Sequence, residues 1–423
     1  MTAPTDATTP ALFFSAFEPS GDQVAAPVIA RLKQERPNVP IYALGGAKME
    51  AAGATLIERT GHKAVMLEGA LAQAREHLQR LKRVKAWLRE HQLSVHIPVD
   101  SRAANWSICK AVRKIQPKAR IAHLVAPQLW AWATWRIRKL RWLTDHVLCL
   151  LPFEPDWFAK RGVRATFVGH PLFNQIIPGG GEQGRPSTAR INEVMGPLAD
   201  HKGFKVALLP GSRRGEHMAN WPTMIQAYIE LAKRHPDLCG TIAAMNDEGA
   251  ARLAGIVPKG LSVTDAKADA PRPGGEPAWW PDSLHVRVNA VDEILQWCDA
   301  ALIVSGTASL HTAIHERPMV VMYNMKRWKW VTVGRLIVST RTFAIPNLIA
   351  ESRGEGRIVK EFVPHFGKVE PIVEAVDELI GNDEARRTQT EAIRRINELF
   401  QPPIFAERAA AAIIEFIDAA HQV

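Results

Sequence analysis

Short apolar runs alternate with amphipathic helical patterns along this chain, and the alternation occurs twice. In the first half, six runs predict strands at residues 11–17, 41–46, 93–100, 120–127, 145–152 and 165–171. Helical patterns lie between several of these runs, for example at 22–36 and 102–115. Strands that are connected through helices form parallel sheets with both faces covered. The pattern therefore predicts α/β domains built on parallel sheets.

A second series of apolar runs begins after a Gly-rich, polar segment at 178–190. Its five members predict strands at residues 204–210, 240–245, 283–289, 300–306 and 318–324. A chain of 423 residues is too long for one ordinary core, so two domains are expected. We predict two doubly wound, Rossmann-like domains that face a central cleft. Such sheets bind ligands at the carboxyl ends of their strands, so functional residues should follow strands directly.

The same patterns set the predicted boundaries. The N-terminal domain spans 1–177, a linker spans 178–203, and the C-terminal domain spans 204–383. Residues 384–423 have a helical pattern with one break at Pro402 and Pro403, and we expect them to pack on the N-terminal domain or on a partner subunit. A segment without periodicity, 265–283, predicts a projecting loop.

The charge of the chain limits its partners. Lys and Arg outnumber Asp and Glu by 53 to 43, which favours an anionic partner such as a nucleotide, an acidic lipid or a nucleic acid. The four cysteines are widely spaced without a CxxC pair, as in reduced thiols of a cytoplasmic protein. The N-terminal segment does not resemble a signal peptide, and no apolar run reaches 18 residues, so no transmembrane span is expected.

Two turns in the second half predict a diphosphate site. The stretch LLPGSRRGEH (208–217) and the stretch IVSGTASLHTA (303–313) each join an apolar strand to a helix through small residues. Glycine lets backbone amides approach a ligand closely, and a helix N-terminus favours an anion. Arg213 would add a charge-assisted hydrogen bond. The alternative is that both are tight strand–helix turns without a ligand.

The two turns do not match the common nucleotide motifs. Neither fits GxGxxG or GxxxxGK[ST], and the chain contains no DxD sequence that would hold a nucleotide sugar through a metal ion. Helix dipoles and arginine are therefore expected to neutralise the diphosphate.

Carboxylates follow two strands of the first half. Glu18 stands at the end of the first strand, and Asp100 follows the strand that begins at 93. A carboxylate at the carboxyl end of a strand is a candidate general base, and a turn cap is the alternative for each. Ser20 or Asp22 would then cap the following helix.

Two basic segments predict an interfacial surface. Residues 71–91 place an apolar helical stripe between Lys and Arg side chains, and residues 130–142 hold four Trp and four basic residues. Such segments suit an anionic membrane surface, and a core-facing helix with a solvated basic side is the alternative. No helix-turn-helix, zinc-finger or RNA-binding signature occurs, so nucleic acid is disfavoured.

With these residues in view, the chain resembles the lipid-A-disaccharide synthase family, inverting glycosyltransferases of the GT-B fold. The resemblance runs in order from about residue 11 to the C-terminus. The most specific matching stretches are EPSGD (18–22), PQLWAW (127–132), LPFE (151–154), GHP (169–171), LPGSR (209–213) and SGTASL (305–310).

The resemblance implies a reaction. UDP-2,3-diacylglucosamine would donate its sugar to 2,3-diacylglucosamine 1-phosphate, giving the β-1,6-linked disaccharide 1-phosphate and UDP, without a metal or other cofactor. The N-terminal domain would bind the acceptor and the membrane, and the C-terminal domain the UDP-sugar. The protein would lie on the cytoplasmic face of the inner membrane as a peripheral protein, and a homodimer is allowed.

The resemblance also assigns residues. Asp100 would be the general base, with Glu18 beside it, and Arg213 would stabilise departing UDP. The other matched positions are assigned to substrate or nucleotide binding: Ser20, Gly21, Asp22, Asn105, Gly211, Ser212, Glu216, Ser305, Gly306, Thr307, His311, Met325 and Asn347. The membrane- or acceptor-facing surface would contain Arg80, Arg83, Trp130, Trp132 and Arg136.

The chain departs from the family pattern at several positions. Around the base it reads DSRAAN (100–105), where the family has Pro and a second Asp at the positions of Arg102 and Ala103. His311 stands where the family has a Glu that contacts ribose, and Ala133 where it has an Arg. Two alternatives therefore stay open: another GT-B enzyme acting on a UDP-sugar, and a non-catalytic derivative. Retention of Asp100 and Arg213 argues against the latter.

Overall fold

The computed structural model describes residues 11–60, 70–100, 102–175, 185–257, 276–277, 279–334, 337–402 and 404–420. The chain forms two compact units, Met1–Asn174 with Pro402–Val423 (unit 1) and Gln175–Gln401 (unit 2). Several predicted segments fall partly outside the described residues, among them the linker at 178–184 and the projecting loop at 265–275 and 278.

Unit 1 contains one parallel sheet. Its strands are β1 (Ala11–Ser15), β2 (Ile41–Gly45), β3 (Thr55–Arg59), β4 (Leu93–Pro98), β5 (Arg120–Leu124), β6 (His146–Cys149) and β7 (Ala165–Phe167). They lie in the order β3-β2-β1-β4-β5-β6-β7, and all the paired strands are parallel. The six predicted strands are confirmed, and β3 was not predicted.

Helices connect the strands of unit 1. They are α1 (Pro19–Glu35), α2 (Ala47–Ala51), α3 (Ala70–Glu90), α4 (Arg102–Ile115), α5 (Ile137–Leu143), α6 (Glu154–Ala159) and α7 (Pro171–Gln175). A 3₁₀ turn at Thr134–Arg136 precedes α5.

Unit 2 repeats the architecture with six strands. They are β8 (Lys205–Leu209), β9 (Cys239–Ala244), β10 (Leu284–Val288), β11 (Ala300–Val304), β12 (Met319–Asn324) and β13 (Lys360–His365). The order is β10-β9-β8-β11-β12-β13, again with parallel pairs. The five predicted strands are confirmed, and β13 was not predicted.

The helices that follow are α8 (Thr188–Met195), α9 (Arg214–Arg234), α10 (Asp247–Ala254), α11 (Val291–Trp297), α12 (Thr307–Ile314), α13 (Arg327–Lys329), α14 (Ile345–Ser352), α15 (Glu370–Gly381), α16 (Asp383–Glu398) and α17 (Phe405–Ala420). A 3₁₀ turn at Gly196–Leu198 and a π-helical turn at Trp330–Gly334 complete the described elements. The segment predicted as a linker thus contains α8. Of the helices after 383, α16 belongs to unit 2, whereas α17 belongs to unit 1 and packs on α1. No helix in the described part of the chain has the length and apolar character needed to cross a membrane.

The inner strand β1 of unit 1 shows why the sheet needs helices on both faces. All five residues of β1 are buried, and successive side chains point to opposite faces. Phe14 packs with Val28 of α1 and Ile413 of α17. Phe13 packs on the other face against Trp87 of α3, with ring centroids 5.3 Å apart. Each buried Phe contributes about 1.5–3 kcal/mol of hydrophobic stabilisation, so apolar residues are favoured on both faces of this strand.

Each sheet has one point where the chain changes direction. In unit 1 the connection from β1 runs to β2 on one side, and the chain later returns to β4 on the other side. In unit 2 the corresponding neighbours are β8 and β11. Ligands of doubly wound sheets bind outside the carboxyl ends of the strands at such a switch point. The residues that follow these four strands are therefore the place to look for a site.

Candidate functional site

The turn after β8 is closed by its own carboxylate. Glu216 Oε2 accepts hydrogen bonds from the backbone amides of Ser212 (3.0 Å) and Arg213 (3.2 Å), and Oε1 accepts one from Arg213 Nη1 at 3.2 Å. Gly211 has a left-handed φ of 95°, and a Cβ there would collide with the Glu216 carboxylate. His217 Nε2 contacts the Gly211 carbonyl oxygen at 2.8 Å.

This geometry corrects one prediction. The amides at 212 and 213 are not available to a phosphate as expected, because the Glu216 carboxylate accepts hydrogen bonds from both. The Arg213 side chain is 79% exposed, so the turn presents a guanidinium rather than bare amides.

The turn after β11 is more open. Gly306 has a φ of 131°, and no atom lies within 4 Å of the place where a Cβ would stand. Ser305 Oγ donates to the Phe343 carbonyl oxygen at 3.3 Å. α12 begins at Thr307, and the first amides of a helix have no acceptor within the helix. The role of this turn in binding an anion stays a prediction.

The two turns of unit 2 lie side by side. β8 and β11 are paired strands in which Leu209 is opposite Ile303, so Gly211 and Gly306 follow neighbouring strand ends at the switch point. Met325 follows β12, the next strand outward, and is half-buried. The sequence-predicted nucleotide residues at 211–216, 305–307 and 325 thus belong to one edge of one sheet.

Asn347 has a supporting position. Its side chain is fully buried. Its Oδ1 accepts from the amides of Ile358 and Val359 at 2.9 Å, and its Nδ2 donates to Glu361 Oε2 at 3.0 Å. Glu361 also accepts from the amide of Ala344, at the start of α14. The prediction that Asn347 lines the nucleotide pocket is therefore wrong for its side chain, which instead ties α14 to β13.

His311 is paired with other side chains. Its Nε2 lies 2.6 Å from Asp292 Oδ1, and His315 Nε2 lies 2.8 Å from the same oxygen. Asp292 comes from α11, and no sequence pattern had singled it out. The predicted ribose contact of His311 stays a prediction.

Asp100 has an unusual backbone conformation. It follows β4 with a φ of 47°, in the left-handed region that non-glycine residues rarely adopt. Asn105 holds this turn, because its Nδ2 donates to the carbonyl oxygens of Val99 (2.9 Å) and Asp100 (3.1 Å). Strained backbone of this kind persists only where its surroundings fix it, and it clusters at functional sites.

Two further buried residues extend this network. Ser15, at the end of β1, donates its hydroxyl to Asn105 Oδ1 at 2.7 Å and contacts His96 Nε2 at 2.9 Å. Burial lowers the pKa of His96 to about 3, so its ring is neutral. Asn105 is itself wholly buried, so the residue predicted to bind substrate instead positions the Asp100 backbone.

The turn after β1 differs from the prediction. α1 begins at Pro19 with Glu18 as N-cap residue, so neither Ser20 nor Asp22 caps this helix. Asp22 instead accepts hydrogen bonds from three amides at the start of α2: Gly46 (3.0 Å), Lys48 (3.2 Å) and Met49 (3.0 Å). Gly21 is buried, and a Cβ there would lie 3.0 Å from Ala16 Cβ.

Glu18 and Ser20 are exposed beside Asp100. β1 and β4 are paired, with Ser15 opposite Pro98, so Glu18 and Asp100 follow neighbouring strand ends at the switch point of unit 1. The structure therefore brings the two candidate carboxylates to one edge, whereas Asp22 and Asn105 hold the turns around them.

The basic and Trp-rich surface is partly different from the prediction. Trp130 is 8% exposed, so its predicted place on a membrane surface is wrong. Trp132 is half-buried, Arg136 is exposed, and the most exposed indoles of the segment 130–142 are those of Trp135 (59%) and Trp142 (61%). The sequence could not separate these tryptophans, because the partner of Trp130 lies 24 residues away.

The arginines predicted for that surface are in ion pairs. Arg80 lies 2.8 Å from Glu58 and 2.6 Å from Glu76, and its side chain is 14% exposed. Arg83 is 55% exposed and lies 2.9 Å from Glu58. On α3, Val84 and Leu88 pack in the core while Leu78 is exposed. Arg83 is thus the more accessible of the two cations.

Glu154 is the partner of Trp130. Its Oε1 accepts from Trp130 Nε1 at 3.0 Å, and its Oε2 accepts from the Leu151 amide at 3.0 Å. The residue is 2% exposed. Burial raises the pKa of Glu154 to about 7, because desolvation of the carboxylate outweighs these hydrogen bonds. The stretches PQLWAW and LPFE therefore meet through one buried carboxyl group.

Two parallel-sheet, Rossmann-like units define an α/β fold of the GT-B type, as predicted. Solved structures share it. A putative UDP-N-acetylglucosamine 2-epimerase from Listeria monocytogenes matches with a TM-score of 0.58 and 11% identity, over 97% of this chain and 96% of that one. A glycosyltransferase from Rickettsia africae matches with a TM-score of 0.53 and 9% identity, over 98% of this chain and 99% of that one. At such identities the likeness shows the fold alone.

Sequence comparison identifies the family. The family described as Lipid-A-disaccharide synthetase matches residues 12–259 and 282–414. The lipid-A-disaccharide synthase of Burkholderia lata is 30% identical over 408 residues, which span 95% of both chains. That of Myxococcus xanthus is 28% identical over 96% of this chain and 98% of its own. The chain belongs to the lipid-A-disaccharide synthase family, and it is thus a glycosyltransferase of lipid A biosynthesis.

Glu154→Gln should change how stability depends on pH. The carboxyl binds its proton more tightly in the folded state, since its pKa rises from 4.5 to about 7. The contribution of the Glu154 carboxyl group to the free energy of unfolding is therefore fully present below pH 4.5, and it is lost as pH rises through 7. We expect the free energy of unfolding of the variant, relative to wild type, to rise by about 1–3 kcal/mol between these limits.

Urea unfolding between pH 5 and about pH 8 measures this difference. Asp156→Asn, which removes an exposed carboxyl from the same helix, is the control and should follow the wild-type profile. A constant difference between Glu154→Gln and wild type at every pH would contradict the prediction.

Proposed function

We propose that this protein transfers the sugar of UDP-2,3-diacylglucosamine to the 6-hydroxyl of 2,3-diacylglucosamine 1-phosphate. The products are the β-1,6-linked disaccharide 1-phosphate and UDP. Family membership supports the reaction class. The observation that carries the proposal is the Asp100 turn, held by Asn105 in a left-handed conformation at the switch point of unit 1.

Asp100 acts as the general base. The acceptor oxygen forms a bond to the anomeric carbon, while the bond between that carbon and the UDP oxygen breaks. Attack from the face opposite UDP inverts the configuration. The hydroxyl proton passes to the Asp100 carboxylate, a step to which a positioned base contributes about 10²–10⁴-fold. The hydrogen bond from Asn105 to the Asp100 backbone supports this role, because it fixes the backbone from which the Asp100 side chain extends.

Unit 2 binds the donor. The exposed Arg213 guanidinium and the first amides of α12 neutralise the diphosphate, and Arg213 stabilises negative charge on departing UDP. Glu216 keeps the turn in shape. A UDP-GlcNAc 2-epimerase from Neisseria meningitidis, solved bound to UDP-GlcNAc, has the same fold with a TM-score of 0.57 and supports a UDP-sugar ligand. We propose that donor binding requires no Mg²⁺, since the sequence has no DxD motif.

Because both proposed substrates carry acyl chains, the protein has to contact a membrane to reach them. We propose that unit 1 binds the cytoplasmic face of the inner membrane peripherally, through the exposed side chains of Trp135, Arg138 and Trp142. Trp favours such interfaces, and the flanking cations favour anionic lipid. This surface replaces the predicted one that included Trp130.

Arg213→Ala should weaken UDP binding. Loss of a charge-assisted hydrogen bond costs about 1.5–3 kcal/mol, so we expect UDP affinity to fall about 10- to 100-fold. Arg214→Ala removes the adjacent exposed cation and should leave affinity unchanged. Calorimetric titration with UDP, with and without Mg²⁺, is the measurement. A strict Mg²⁺ requirement, or equal losses in both variants, would reject the proposed donor site.

Asp100→Asn should lower turnover and leave UDP affinity unchanged. The substitution keeps the shape of the side chain but removes its basicity, so kcat should fall by about 10²–10⁴-fold. UDP affinity should stay near wild type, because unit 2 binds the nucleotide. Turnover and UDP titration of the same preparation measure both. Near-normal turnover would mean that the base lies elsewhere, with Glu18 the next candidate.

Trp142→Ala should reduce binding to anionic liposomes, and the binding of wild type should fall with salt. Trp328→Ala is the matched control, since Trp328 on unit 2 is also 61% exposed. Sedimentation with anionic and with neutral vesicles measures the effect. Equal losses in the two variants, or equal binding to both kinds of vesicle at every ionic strength, would contradict the proposed surface.

A further inference from the structure

Three side chains that suit a metal ion meet between two helices of unit 2. Asp292 comes from the first turn of α11, and His311 and His315 come from α12 and its C-cap. The two histidines are four residues apart and thus lie on one face of the helix. One ligand atom from each residue lies within 4.8 Å of the others.

The three residues share a single carboxylate oxygen. Asp292 Oδ1 lies 2.6 Å from His311 Nε2 and 2.8 Å from His315 Nε2. The side chain of His315 is fully buried, while those of His311 and Asp292 are 21% and 41% exposed. One side of the cluster therefore faces the interior, and the other is open to water and to a second ligand.

The acidic residues next to this cluster are paired with arginines, whereas the carboxylate of Asp292 contacts the two histidines. Glu293, the next residue of α11, is paired with Arg190 at 3.0 Å. Glu316, the residue after His315, is paired with Arg185 at 3.2 Å and with Arg394 at 2.8 Å. Asp292 thus differs from these acidic neighbours, because the groups that contact its carboxylate are the imidazoles of His311 and His315.

We propose that Asp292, His311 and His315 form a binding site for a divalent transition-metal ion, with Zn²⁺ the best chemical match. Imidazole nitrogen and carboxylate oxygen are ligands that Zn²⁺ prefers, and three protein ligands leave a fourth position for water. With metal–ligand distances of about 2.0–2.2 Å, two ligands of a tetrahedral ion are about 3.3 Å apart. Asp292 Oδ1 and each imidazole nitrogen, now 2.6 and 2.8 Å apart, need to separate by less than about 1 Å to admit the ion.

Gln296 provides an outer hydrogen bond. Its amide nitrogen lies 2.7 Å from His315 Nδ1. If His315 binds a metal through Nε2, its ring proton is on Nδ1. Rotation of the Gln296 amide by half a turn places Oε1 where it accepts a hydrogen bond from this N–H. Metal-binding histidines nearly always donate their second N–H to such a partner. The three side chains connect α12 to α11. The proposal of a metal site does not rest on the proposed transfer reaction.

Zinc titration of the full chain, after removal of bound metal with a chelator, tests the proposal. We expect one Zn²⁺ per chain by calorimetry and a higher melting temperature with the ion. Asp292→Asn and His311→Gln, which alter accessible side chains, should each lower Zn²⁺ affinity by more than about 100-fold, and Gln296→Ala by about 10- to 100-fold. Circular dichroism establishes that each variant is folded.

His235→Gln is the matched control. His235 and Asp377, 2.5 Å apart on the same unit, form a pair with one imidazole only. This variant should bind Zn²⁺ as wild type does. Absence of stoichiometric Zn²⁺ binding by wild type would overturn the proposal, and so would unchanged affinity in Asp292→Asn and His311→Gln. Either result would leave the cluster as a hydrogen-bonded link between two helices.

Discussion

Parallel pairing of every strand is the constraint on which the rest of this structure depends. Neighbouring parallel strands cannot be joined by a hairpin, so each connection crosses one face of the sheet through a helix. In each unit the crossovers diverge at one pair of strands, β1 and β4 in unit 1 and β8 and β11 in unit 2. The turns after these strands carry Glu18 and Asp100 in unit 1, and Arg213 and Thr307 in unit 2. Topology alone explains why the two residues of each pair lie at the same edge of their own sheet.

Carboxylates that close helix starts shape these turns. Asp22 caps α2, Glu216 caps α9, and Glu361 accepts the amides before α14. Each carboxylate accepts hydrogen bonds from amides that would otherwise be free to bind an anion. These hydrogen bonds also fix the conformation of the turn. Asn105 fixes the Asp100 turn in a different way, because its Nδ2 donates to the carbonyl oxygens of Val99 and Asp100. The motifs of this family therefore contain framework residues beside the residues that the proposed reaction needs.

The nine inner strands could be predicted from the sequence because they are mostly apolar and buried, and the edge strands β7 and β10 were predicted as well. The two missed strands, β3 and β13, lie at sheet edges and are only partly buried, so their apolar pattern is weak. Site positions were predictable because they follow strands. The hydrogen-bond partners of these side chains could not be predicted. Trp130 contacts Glu154 and His311 contacts Asp292, and the residues of each pair are too far apart in the sequence for a local pattern to reveal the contact.

The central claim is that the chain joins two acylated glucosamines. Mass spectrometry of the products formed by purified protein from UDP-2,3-diacylglucosamine and 2,3-diacylglucosamine 1-phosphate tests it most directly. The account predicts a disaccharide 1-phosphate, with one UDP released for each disaccharide formed. Release of UDP without a disaccharide, conversion of the donor to an isomer of the same mass, or recovery of both substrates unchanged would contradict it.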